Sequence, residues 1–317
     1  MSRRGDITLA VTCGDPRGIG PEVIRKAAAA MRGEAGRPRL VYVGPSGTGA
    51  ESACDQVILT GEWRGGSAAD AGALAGAAIE RGAALCLSGR ADALVTAPID
   101  KAALHAGGYH FPGHTEMLAQ LAGVQHVAML MDAEHTRLGG PLRVVLATTH
   151  LALVDVPAAL SADLLIQQAR ITAAGLREGW GIPHPRLALC AVNPHASDGG
   201  LFGDEEARIV EPALERLLAE AFEVSGPIPA DTVFVRALRG EFDAVIAPYH
   251  DVGMAAFKTA AFGSGINVTL GLPFPRTSPD HGTALDIAGR DIAEPGSMME
   301  AIRLAARLAA GRKTSRP

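Results

Sequence analysis

Two rhythms of apolar positions alternate along the chain. Short apolar runs at Ile7–Thr12, Leu40–Gly44, Asp92–Ala97, Val127–Met131, Leu142–Thr149, Leu187–Asn193 and Val245–Tyr249 read as buried strands. Between them, Val23–Met31, Ala69–Leu87, Ala162–Trp180, the segment from Asp204 to Glu220, and Val233–Leu238 read as helices. A last helix runs from Glu294-Pro295 to Ala310, followed by a basic tail, Arg312–Pro317, expected to fray. Strand and helix alternating in this way predict a parallel sheet covered by helices. Val127–Met131 and Leu142–Thr149 lie close enough to form an antiparallel pair, which marks a crossing into a second domain. Residues 45–68 carry no clear pattern.

Composition narrows the class. The 317 residues suit two domains or one large α/β unit. Hydrophobic residues make up 48% but aromatics only 4%, so the core must be built of Ala, Leu, Val and Ile, as when helices pack on a parallel sheet. A net charge of −5 argues against nucleic acid as a partner. No apolar run is long enough for a membrane span. Met1–Asp6 is basic, but the apolar Ile7–Val11 that follows is a first strand and not a signal sequence. Cys13, Cys54, Cys86 and Cys190 are scattered and read as reduced thiols, so a cytoplasmic location is expected.

Chemistry gathers at strand ends. Gly14-Asp15-Pro16-Arg17-Gly18-Ile19-Gly20-Pro21-Glu22 is a glycine-rich turn between strand and helix, with Pro21 in the helical first turn. It suits an anion at a helix N-terminus, or equally a tight turn with no ligand. His150, His195 and His250 each follow an apolar strand at its carboxyl end, where α/β sheets bind ligands. Any one of them is better read as a capping or core residue. Three at equivalent positions suit a catalytic metal centre that leaves coordination positions open. In Phe111–Glu116, Thr115 or His114 can cap the following helix, and a cap leaves the adjacent histidine unexplained. Glu205 and Glu206 complement a helix dipole. Asp231, in a proline-stiffened loop, is a cap or a base. Lys258 lies about two helical turns after His250, and with Asn267 and Arg276 it suits a phosphate or carboxylate.

Taken together these stretches resemble the 4-hydroxythreonine-4-phosphate dehydrogenase family of pyridoxal phosphate synthesis. The resemblance rests on residues 14–22, Pro-Gly-His-Thr-Glu (112–116), Thr-Thr-His (148–150), Asn-Pro-His-Ala (193–196), Pro-Ala-Asp-Thr (229–232), Tyr-His-Asp (249–251) and the run from Gly265 to Gly289. It spans nearly the whole chain. Gly18–Glu22 and His281–Gly289 look more distantly like the N-terminal turn and adenosine loop of isocitrate and isopropylmalate dehydrogenases.

The resemblance implies an α/β fold of two α/β/α domains with a cleft between them. The first is expected from residues 1–107 and 282–317, the second from 108–281. It implies a homodimer with active-site residues from both subunits, and one divalent metal (Zn, Mg, Mn or Co) on His150, His195 and His250. It implies substrate contacts from His114, Thr115, Lys258, Asn267 and Arg276, and NAD or NADP held by Gly14, Asp15, His281, Gly282, Thr283, Ala284 and Asp286. The reaction implied is oxidation of a phosphorylated hydroxy acid's secondary alcohol, then decarboxylation, with 4-phosphohydroxy-L-threonine as substrate. Lys258, Asp231, Asp251 and a metal-bound hydroxide stay open as proton acceptor. Ser197-Asp198, Val252 and Ala152 replace the family's usual Gly-Glu, Gln and Pro, which leaves 4-phospho-D-threonate or 4-phospho-D-erythronate as alternative substrates. A metal-dependent hydrolase or phosphatase would also use three histidines and an anion pocket, but would not need His281–Gly289. A non-catalytic binding protein would not need the intact histidines and Lys258.

Overall fold

The computed structural model describes residues 7–315, so the expectations for Met1–Asp6 and Arg316-Pro317 lie outside the described residues. The chain begins β1 (Thr8–Thr12), α1 (Gly20–Ala30), β2 (Arg39–Ser46), β3 (Gln56–Glu62), α2 (Ala68–Leu87) and β4 (Ala93–Thr96). Two short helices follow, α3 (Lys101–Ala106) and α4 (His114–Ala122). The middle holds β5 (Ala128–Ala133), β6 (Leu142–Leu146), α5 (Val156–Ala159), α6 (Ala162–Trp180), β7 (Leu187–Cys190), α7 (Glu211–Ala219), β8 (Val224–Ile228) and α8 (Ala230–Leu238). Then come β9 (Ala244–Ala247), α9 (His250–Ala261), β10 (Ile266–Leu270), β11 (Arg276–Pro279) and α10 (Gly296–Ser315).

Local chemistry sets these boundaries. Ser67 and Asp70 form a reciprocal capping box at the start of α2, and the Ser161 hydroxyl caps α6 by accepting from Leu164 N. Pro21 sits in the first turn of α1, where its missing N–H has no cost. α2 is rich in Ala and Gly because its neighbours come very close. A Cβ on Gly72 would lie 1.7 Å from the Ala103 carbonyl oxygen on α3.

The chain divides into two compact units, residues 1–125 with 272–317 and residues 126–271. Residues 108–125 and 272–281, expected in the second domain, therefore fall in the first. α4 packs on α2, and β11 pairs with β4 in parallel. In the first unit the strand order is β3-β2-β1-β4-β11, all parallel. In the second it is β10-β5-β6-β9-β7-β8, with β5 antiparallel to both β10 and β6 and the rest parallel. The antiparallel pair expected from sequence is present. The Val41, Val43, Leu94 and Ile302 side chains are buried in the first unit, and Val144, Leu146, Phe234 and Phe257 in the second.

The tail does not fray over its described part. α10 continues to Ser315, Arg312 donates to the Leu272 carbonyl at 3.2 Å, and Lys313 pairs with Asp92 at 2.7 Å. The α2–α3 contact gives a direct test. Gly72→Ala must push the two helices apart, and overpacking of this kind costs about 1–3 kcal/mol. A lowered urea midpoint with an unchanged slope is expected; an unchanged midpoint would contradict the packing described.

Candidate active site

Two of the three candidate metal histidines are brought together by strand pairing. β6 and β9 are parallel neighbours, and the ladder continues past their ends. Ala147 N donates to the Ala247 carbonyl at 2.9 Å, and Thr148 donates through both N (3.2 Å) and Oγ1 (2.8 Å) to that of Pro248. His150 and His250 then face each other with ring centroids 5.8 Å apart, beside a cavity of about 120 Å³ also lined by Thr149, Tyr249 and Asp251. Two imidazoles sharing a tetrahedral cation at 2.0–2.1 Å would have centroids roughly 5 Å apart, close to the separation of this pair. The Asp251 carboxylate lies 2.8 Å from His250 Nδ1, which places the proton there and leaves Nε2 as the nitrogen that could take a metal.

The third histidine stands apart. Among the described residues no group of three His, Cys, Asp or Glu side chains converges on one point. β7 lies beside β9 but ends at Cys190, and His195 follows in an exposed loop with a left-handed backbone, φ 52°. Glu206 was read as a helix-dipole residue, but its role is different. Its carboxylate is buried and accepts from Val192 N (2.8 Å), Asn193 N (2.7 Å), Asn193 Nδ2 (2.9 Å) and Ser197 Oγ. Burial works to raise its pKa, but the hydrogen bonds from Asn193 and Ser197 outweigh this and hold it below the usual carboxylate range.

In the first unit, a second set of candidate residues forms a cradle of donors. Arg276 opens β11 and is 2% exposed. It donates to Thr96 Oγ1 from Nε (3.2 Å) and Nη2 (2.6 Å), and burial pulls its pKa down to about 10. His114 does not cap α4; the N-cap is Gly113, and no side chain caps the helix. The histidine is pushed well below its usual pKa by burial, then by the charges of Arg276 and Lys101. It is therefore a neutral imidazole, and its Nε2 is sealed from solvent with no partner among the described residues. Thr115 follows it in the same first turn. A buried cation, a neutral imidazole and an uncapped helix N-terminus all favour one anion. Thr96 and Lys101 were not singled out from the sequence: a threonine ending a strand and a lysine opening a helix carry no distinguishing signal.

The other candidates separate by exposure and partners. Asp231 is exposed in the first turn of α8, not buried, and forms no cap. Lys258 is half-buried on α9, the helix that His250 opens. Asn267 lies on β10, and its Oδ1 is sealed without a partner among the described residues.

The two stretches that resemble dehydrogenase cofactor elements meet in the first unit. Ile19 N donates to the Thr283 carbonyl at 2.9 Å, and a Cβ on Gly18 would lie 2.7 Å from that oxygen. His281 Nδ1 donates to the Gly282 carbonyl at 3.0 Å, leaving Nε2 as an acceptor that is sealed and unpartnered among the described residues. Gly282 faces open space, Ala284 holds φ 43°, and Asp286 is exposed. Gly14 and Asp15 have structural reasons instead. Gly14 has φ +72° and a Cβ there would be 2.3 Å from the Pro98 carbonyl oxygen; Asp15 is buried and pairs with Arg17 at 2.6 Å. For these two the ligand-free tight turn is the sufficient account.

Comparison with known proteins identifies the family. Residues 23–305 match the family model described as pyridoxal phosphate biosynthetic protein PdxA. The chain is 44% identical to a 4-hydroxythreonine-4-phosphate dehydrogenase of Paracoccus denitrificans, covering 96% of this chain and 98% of the relative. It is 42% identical to a protein of Bradyrhizobium diazoefficiens provisionally named D-threonate 4-phosphate dehydrogenase, covering 97% and 98%. The crystal structure of a 4-hydroxythreonine-4-phosphate dehydrogenase from Klebsiella pneumoniae superposes with a TM-score of 0.85 at 39% identity, covering 96% of this chain and all of that one. This chain is a member of the PdxA family of pyridoxal phosphate biosynthetic proteins.

Proposed function

We propose that the protein is a divalent-metal-dependent NAD(P) dehydrogenase that oxidises the secondary alcohol of a small phosphorylated hydroxy acid, with loss of carbon dioxide. The substrate we infer is 4-phosphohydroxy-L-threonine, as in the relatives named for that activity. The observation that carries the reading is the His150–His250 pair, spaced for one cation, in a chain that also holds a desolvated Arg276 beside neutral His114. A phosphorylated hydroxy acid bears both groups these sets recognise. The Bradyrhizobium relative favours 4-phospho-D-threonate as the second reading.

Each residue's part follows from its geometry. A divalent cation, when bound, lowers the pKa of a coordinated alcohol so that it ionises near neutral pH. His150 and His250 would hold that ion, with Asp251 keeping His250 in the ligating tautomer. We infer that His195 completes the set from the partner subunit of a homodimer. Large apolar side chains beside two of these histidines support an interface there: Leu153 and Val154 near His150, and Leu201 near His195, are all exposed. Arg276 and the N-terminus of α4 would take the phosphate, with His114 and Thr115 donating to it. Asn267 would orient the substrate's polar groups. Asp251 is committed to His250 and Asp231 is exposed, so Lys258 is the proton acceptor we infer. The nicotinamide cofactor would lie along His281–Asp286, where His281 Nε2 offers an acceptor to the amino group of an adenine.

The test is NADH formation from phosphorylated hydroxy acids supplied with each divalent metal in turn. Turnover of 4-phosphohydroxy-L-threonine or 4-phospho-D-threonate is expected, and activity on non-phosphorylated diols alone would overturn the substrate class. Arg276→Met should lower kcat/KM about 10- to 100-fold, the size of a lost charged hydrogen bond. The same variant should abolish the rise in melting temperature that inorganic phosphate gives the wild type, without lowering the ligand-free melting temperature, because a desolvated charge has been removed. His250→Ala should remove metal-dependent activity, and Asp251→Asn should weaken metal binding about 10- to 100-fold, measured by chelator competition.

A further inference from the structure

His195 stands in a backbone that its own residues disfavour. His195, Ala196, Ser197 and Asp198 hold φ of 52°, 54°, 65° and 45°, four left-handed residues in a row without a glycine among them. Side chains with a Cβ rarely adopt this region, and each departure from the right-handed wells stores strain. Such a run persists only where surrounding contacts dictate it. Here one group does so. Glu206 Oε1 accepts the backbone N–H of Val192 and of Asn193, at 2.8 and 2.7 Å. Its Oε2 accepts from Asn193 Nδ2 at 2.9 Å and from the Ser197 hydroxyl. Four hydrogen bonds tie that buried carboxylate to the stretch either side of His195. Glu205 adds a second hold at Asn193 Nδ2, 2.7 Å, and Gly203 leaves the space: a Cβ there would lie 2.6 Å from Asn193 Nδ2.

We propose that Glu206 is the positioning residue for His195, clamping Asn193 and Ser197 so that the strained loop presents the imidazole outward for the metal. The inference rests on the reading of His195 as a ligand. Glu206 touches neither metal nor substrate in this role. It sets the direction of the ligand by fixing the backbone before and after it. The serine at 197 is part of the device, through its hydroxyl bond to Glu206. Glycine reaches φ 65° unaided, whereas serine is held there by its bond to Glu206.

The experiment measures binding of Zn²⁺ alone by chelator competition, and the absorption spectrum of the Co²⁺ form, on wild type, His195→Ala, Glu206→Gln, Glu206→Ala and the double variant Glu206→Gln/Ser197→Gly. His195→Ala should weaken metal binding; if it does not, the ligand reading itself fails. Given that loss, Glu206→Gln should weaken Zn²⁺ binding about 10- to 100-fold and shift the Co²⁺ spectrum toward that of His195→Ala. Ser197→Gly, which lets the loop keep its turn without the hydroxyl bond, should recover part of the lost affinity. Glu206→Gln keeps the size of the side chain but replaces one of its two acceptor oxygens with a donor, so the proposal stays testable if Glu206→Ala fails to fold. Wild-type metal affinity and spectrum in Glu206→Gln, alongside a defective His195→Ala, would overturn the positioning role. So would a deficit in Glu206→Gln that the added glycine leaves untouched.

Discussion

Parallel pairing between β6 and β9 is the constraint on which the site depends. Parallel neighbours end on the same side of a sheet, so whatever follows each strand is delivered to one edge. Here the pairing does not stop with the strands. Thr148 carries it through its side chain to Pro248 and thereby sets the separation of the two imidazoles that follow. No loop of ordinary flexibility would hold two rings at 5.8 Å. The geometry comes from backbone hydrogen bonds in the second unit's core, with Phe257 and Val144 packed beneath them. The site's rigidity is thus the rigidity of the sheet.

The electrostatics of the first unit work in the same sense. Arg276 and His114 lie close enough for each other's charge to matter, and the structure resolves the conflict by leaving the histidine neutral. The guanidinium stays charged at the cost of desolvation, answered in part by Thr96 and by the charge of Glu116. The surroundings of His114 are electropositive, from Arg276 and Lys101, while the imidazole itself adds no charge. An anion placed there would relieve a penalty already present.

Much of this was readable in the residues. The strand runs, the antiparallel pair and the order of the motifs follow from periodicity, because buried parallel strands are short and apolar whatever else they do. The place of each histidine after a strand was legible, though only His150 and His250 come together. Three things were not. The strands stop earlier than the apolar runs: β7 ends at Cys190, and the left-handed turn that follows at His195 is invisible in a stretch without glycine. Glu206 looked like an ordinary acid in a helical first turn, because its partners lie in a loop more than a helical turn away along the chain. The separation of His195 from the other two was hidden for a related reason, since sequence order says which strand carries a ligand but not how far the following loop carries it.

The first unit is made from both ends of the chain. β11 and α10 are needed to flank β4, and Thr283 to back the Gly18 turn. The second unit is one uninterrupted segment, residues 126–271. During synthesis from the N-terminus, the segment carrying His150, His195 and His250 is complete while the four strands β1–β4 upstream still wait for the fifth, β11. The inserted unit can therefore fold on the ribosome before the first closes, and β1–β4 stay without their remaining partners until β11 and α10 have emerged.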